Sequence, residues 1–235
     1  MADMEDSVNP DAGVEAGELG RHGSCVPPRQ QPYVLALRIG FDALLSRELS
    51  PEKLEALGVQ RIGDVIHVPA LNRGLLVDLE NRMVRVEDAG RARASWALLA
   101  VHYLCAEDVS SDLREVSLAH FPECRGYLAV FNNRIIRRFL ATSGRTAEQF
   151  ERSSEQLQAE RLFGPNLAFR FPVLPRVPIT ITRYEGDEEL EPGANVIYRA
   201  DAGRLLPAED CIVAAELVLD SLLGKPMEDS LGGIQ

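Results

Sequence analysis

Histidine stands close to cysteine three times in this chain: His22-Gly-Ser-Cys25, His102-Tyr-Leu-Cys105 and His120-Phe-Pro-Glu-Cys124. An imidazole and a thiolate are ligands for zinc, iron or a tetrapyrrole iron. On a helix His102 and Cys105 fall on neighbouring turns. The spacing therefore allows His102, Cys105, His120 and Cys124 to converge on a metal. The competing reading is a core role, because no CxxC pair frames these residues, the run around His102 is apolar, and free cysteine packs as a small hydrophobe.

Two charged groups offer other chemistry. Arg134 and Arg138 are four residues apart, with Arg137 between them, so their guanidinium groups could clamp a phosphate or carboxylate on one helix face. The alternative is a solvated face, or ion pairs with the acidic segment that contains Glu185, Asp187, Glu188, Glu189 and Glu191. That segment carries neither an EF-hand spacing nor a partner nucleophile, so it reads first as a solvated hairpin connection. Its second reading is a docking surface in which Asp187, Glu188 and Glu189 meet a basic protein partner. No glycine-rich phosphate loop, nucleophile elbow or Ser-His-Asp series supports a nucleotide site or a hydrolase.

The elements that must position these groups follow from hydrophobic period. Leu37, Phe41, Leu44, Leu45 and Leu49 predict a first helix over 33–49, interrupted only by Gly40; Ser50-Pro51 starts a short second helix that Gly58 stops. Between Val59 and Glu87 three short β-rich runs, at 65–68, 75–78 and 83–86, predict an antiparallel meander. An apolar helix is expected from Ala92 to about Cys105, and another around 127–140 with Phe131, Ile135 and Phe139 on one face. Thr146-Ala-Glu-Gln resembles a capping box for a polar helix to about Leu162. The segment 169–174, bounded by Pro172 and Pro175, reads as an edge strand. Ile179-Thr-Ile-Thr182 and Val196-Ile-Tyr198 complete a C-terminal hairpin, followed by a helix that begins near Pro207 and ends at Gly224. The expected fold class is α+β: a single mixed domain with an antiparallel meander, a C-terminal hairpin and several packed helices. Residues 1–31 read as a weakly ordered acidic tail, 32–226 as the domain and 227–235 as a flexible C-terminal tail.

Composition narrows the partners. The 235 residues carry a formal net charge of -11, which repels nucleic acid and anionic membranes, and 46% hydrophobic residues are enough for one sizeable core. No run is long and apolar enough to span a membrane, and the N-terminus opens acidic without a hydrophobic secretory core. A cytoplasmic protein without membrane insertion is expected, its four widely spaced cysteines reduced.

The run LPRVPITITRYEGDEELEPGANVIY, then LLPAED, with LLAVHYL and a Gly-Tyr-x3-Phe segment upstream, resembles domain of unknown function family 3786 over roughly Tyr33 to Gly224. Leu-Pro-x-x-Pro and Gly-Asp-Glu-Glu are its most specific elements. Leu190 stands where the family usually has an aromatic residue, and Arg199 where an Asp is frequent. Some relatives carry a four-cysteine iron-sulfur module, for which this chain has only Cys25 in the corresponding region. The resemblance implies a setting in anaerobic bacteria and archaea. The combined expectation is an accessory or binding protein in anaerobic cofactor or one-carbon metabolism that takes a small ligand or a protein partner. The alternative is a metal- or tetrapyrrole-binding enzyme or cofactor carrier. The sequence names no particular cofactor.

Overall fold

Period-two runs of β-branched and aliphatic residues build two antiparallel sheets, and apolar helices fill the space beside them. The computed structural model describes residues 31–229, so His22, Cys25 and the segment 1–30 lie outside the described residues. The first sheet runs β1 (Gln60–Ile62), β2 (Val65–Ala70), β3 (Arg73–Asp78) and β4 (Met83–Val86), each paired with its neighbour in sequence. Ile66, Val68, Leu75, Val77, Val84 and Val86 form its buried face. This is the expected meander with one more strand at its start.

Helix α3 (Ala94–Leu104) packs on β3 and β4, α1 (Gln31–Leu45) lies against α3, and α2 (Pro51–Leu57) touches β1. The Ser50 hydroxyl accepts from the Lys53 amide at the start of α2, and Gly58, at φ 71°, closes its end. Trp96, Leu99, Val101, Tyr103 and Leu104 bury most of α3, which touches α1, β3 and the last helix. Such a helix, apolar on nearly every side, is stable only at the centre of a domain.

After α3 come β5 (Glu115–Ser117), two 3₁₀ turns, and α4 (Leu128–Phe131) and α5 (Arg138–Ala141) joined by a π-helical segment at Asn132–Arg137. Next follow α6 (Ala147–Gln156), β6 (Glu160–Leu162), β7 (Leu167–Leu174), β8 (Val177–Tyr184), β9 (Gly193–Arg199), α7 (Ala202–Leu205) and α8 (Ala208–Leu222). The second sheet has the order β5-β9-β8-β7-β6. Thr146 caps α6 through the Gln149 amide as the sequence predicts, but the helix stops at Gln156 and Glu160–Leu162 extends as a strand.

The segment 169–174 is not a simple edge strand. β7 lies inside the sheet, yet β6 pairs only with Ala168 to Arg170, so Phe171 to Leu174 has one open side. Pro172 sits there, where its missing amide costs no ladder bond. Its carbonyl accepts from the Leu71 amide at 2.8 Å, which joins the β2–β3 turn to the second sheet. Phe139, Phe150 and Phe169 stack edge-on with ring centres 4.8 and 5.2 Å apart, sealing α5 and α6 onto that sheet. Among the described residues this is the expected α+β architecture. The C-terminal segment, read as tail from 227, stays on the domain to the end of the described residues: Met227 is buried, the Met227 carbonyl accepts from the Arg93 amide, and the Asp229 amide donates to Arg91.

Candidate functional site

The four residues of the expected metal set do not come together. His102 Nδ1 lies 2.6 Å from Asp210 Oδ2, so the imidazole of α3 is tied to the first turn of α8. Cys105, one turn on, directs its thiol to the Gly40 carbonyl of α1 at 3.8 Å. Cys124 is fully buried and donates to the Ala208 carbonyl at 3.6 Å, while His120 is exposed with its ring edge-on to Phe121. Burial pushes the Cys105, Cys124 and Cys211 thiols up. Among the described residues no three His, Cys, Asp or Glu side chains gather to hold a metal ion.

What the structure builds instead is an oriented histidine. A carboxylate only accepts hydrogen bonds, so Asp210 fixes the His102 proton on Nδ1 and leaves Nε2 as an acceptor in the neutral ring. Asp210 is 5% exposed and the His102 side chain 27% exposed. Gly40 lets α1 lie close to α3: a Cβ there would meet Val101 Cγ1 at 3.0 Å and His102 Nε2 at 3.6 Å. The sequence signal for Asp210 was its place in the first turn of a helix, where the helix dipole favours a carboxylate. Its partner, 108 residues away, has no local signature.

The arginines meet α8 rather than the acidic loop. Arg134 donates from Nε and Nη2 to Glu216, and Arg138 donates to Asp220, one helical turn further. Asp220 also accepts from Arg93 and Lys225, each at 2.9 Å. Burial alone would raise the Asp220 carboxyl, but the hydrogen bonds from Arg138, Arg93 and Lys225 hold it down at about 2. Arg137 is exposed and stands outside this seam. The two arginines at four-residue spacing meet the carboxylates of Glu216 and Asp220, which stand at the same spacing on α8.

The acidic segment folds into a compact loop. Asp187 Oδ1 accepts from the amides of Glu189 at 2.9 Å and Leu190 at 2.8 Å, and the Asp187 amide donates to the Leu190 carbonyl. These amide bonds lower the Asp187 carboxyl below the usual range. Gly186 is required there, since a Cβ would lie 2.7 Å from the Leu190 carbonyl oxygen. Glu185 is held by the buried Arg183, which also donates to the Gly144 carbonyl. Glu188, Glu189 and Glu191 remain exposed and without ion pairs among the described residues.

Leu174-Pro-Arg-Val-Pro178 forms the β7–β8 turn around Arg176. Arg176 donates to the carbonyls of Ala56, Val109 and Ser110 and, at 2.8 Å, to Asp201, which is fully buried and also held by Arg199. This cluster, missed in the sequence, ties α2, the β5 approach and the start of α7 to the hairpin. Arg199 places a second cation on Asp201.

No helix among the described residues is long and apolar enough to cross a membrane. Residues 50–221 match a family model described as a domain of unknown function, DUF3786. No curated protein and no solved structure matches the chain.

Proposed function

The chain belongs to the DUF3786 family, and from that premise we propose that it is an accessory or binding protein that docks a basic partner through the acidic loop. The observation that supports this reading is the division of labour in the loop: Asp187 turns inward to close it, and Glu188, Glu189 and Glu191 are left exposed on a fixed scaffold. A rigid display of carboxylates lowers the ordering cost of association and steers a basic surface towards it. The setting in anaerobic cofactor or one-carbon metabolism rests on the family resemblance.

The test separates Asp187 from its neighbours. Native mass spectrometry on protein taken anoxically from its source identifies the partner, and the purified pair is then titrated at rising salt. Glu188→Lys with Glu189→Lys is expected to abolish association without lowering the melting temperature. Binding that survives both changes and high salt would reject the docking surface.

A second reading, a cofactor carrier or enzyme, is favoured by the His102–Asp210 pair. A carboxylate-oriented imidazole with its second nitrogen unbonded is the arrangement used for metal ligation and for general base catalysis. Metal or tetrapyrrole titration that shifts the His102 ring signals, and fails to do so in His102→Gln, would support it.

A further inference from the structure

The outer face of the second sheet holds a small polar cavity that the acidic loop and His102 do not touch. Directly opposed residues of an antiparallel pair share a face. Arg170 stands opposite Thr180, Thr180 opposite Ile197, and Glu115 opposite Arg199. Arg170 reaches across β8 and β9 to Glu115 at 3.2 Å, while its other nitrogen holds Glu160 at 3.0 Å. Beneath this bridge lies a cavity of about 90 Å³, with Leu113, Pro178 and Ile197 among its apolar walls. At ~30 Å³ per water it has room for about three waters or a ligand of similar bulk.

Thr180 lines this cavity and is only 7% exposed. Its hydroxyl makes no hydrogen bond among the described residues, and it is not one of the fully occluded oxygens, which are those of Ser143 and Ser154. The oxygen is therefore reached from the cavity and is free to hydrogen-bond whatever occupies it. Arg199 offers a cation beside it. Its Nε and Nη2 hold Asp201, and Nη1 carries no bond among the described residues. Asp201 is shared between Arg176 and Arg199, so that pair of cations exceeds its carboxylate by one. Glu115, exposed at the cavity's rim and bonded there by Arg170, supplies the opposite charge.

We propose that this cavity binds a small zwitterion, an α-amino acid with a short side chain. Its carboxylate meets the open edge of Arg199 and the Thr180 hydroxyl, its ammonium meets Glu115, and its side chain rests on Ile197 and Leu113. Around the cavity Arg170, Arg176 and Arg199 balance Glu115, Glu160 and Asp201, so a ligand with no net charge suits it better than a bare anion.

L-alanine is the probe, titrated into the full chain and followed by amide NMR, with acetate and methylammonium as comparators. Saturable shifts at Thr180, Ile197 and Arg199 are expected, with alanine bound more tightly than either comparator. Thr180→Val removes the hydroxyl at nearly constant shape and is expected to hold or raise the melting temperature, while weakening alanine about tenfold. Glu115→Gln is expected to weaken alanine by about as much and leave acetate unaffected or tighter. Three results would each overturn the proposal: no alanine shift at millimolar concentration, alanine binding indifferent to both substitutions, or acetate bound as well as alanine. The last would make the cavity a plain carboxylate site.

Discussion

The two ends of α8 carry aspartates in opposite circumstances. Asp210 lies in the first turn, where the helix dipole favours a negative charge, and it takes a single histidine nitrogen as partner. Asp220 lies near the last turn, where the dipole opposes it, and three cations surround it. The difference separates a structural carboxylate from one able to serve a reaction or a ligand. At Asp220 every cation is held in a bridge that joins α8 to α5, to the chain before α3 and to the segment after α8. At Asp210 the partner keeps an unbonded nitrogen.

The contrast breaks first at Asp220. Asp220→Ala leaves Arg93, Arg138 and Lys225 facing one another and is expected to cost about 3 kcal/mol in urea unfolding. The native protein should also show the acid signature of a depressed carboxyl. The stabilisation is complete above the unfolded value of 3.8 and is lost as pH falls towards about 2, so melting temperature drops across that window. Asp220→Asn should flatten that part of the curve, and an unchanged profile would show that other carboxylates govern it.

Asp210→Ala is expected to cost less, about 1–2 kcal/mol, since one hydrogen bond and a dipole interaction are lost. Its sharper readout is the His102 ring: ¹⁵N shifts should report a proton on Nδ1 in the native protein and a mixture of tautomers in the variant. A ring unaffected by the substitution would remove the distinction between the two ends. Arg134→Ala, on an exposed bidentate pair with Glu216, should cost under about 1 kcal/mol and fade with salt.

Local chemistry made much of the fold readable. Ser50 and Thr146 cap the helices that their side chains announce, Gly224 ends α8 at φ 72°, and alternation finds β2, β3 and β4. β1, β5 and β6 are three residues each, too short to show a period. The candidate site was less legible because its partners are distant in sequence. His102 and Cys105 share a helix, yet one faces Asp210 and the other the Gly40 carbonyl. Arg134 and Arg138 were singled out by a spacing that Glu216 and Asp220 repeat, and the match between the two ladders could have been found by comparing helices.

The bond from the Leu71 amide to the Pro172 carbonyl joins two sheets that otherwise have separate ladders. If the sheets open as one cooperative unit, that amide exchanges with solvent no faster than the buried strands on either side of it. If they breathe independently, it exchanges earlier than both. One backbone hydrogen thus records whether the molecule behaves as one foldon or two.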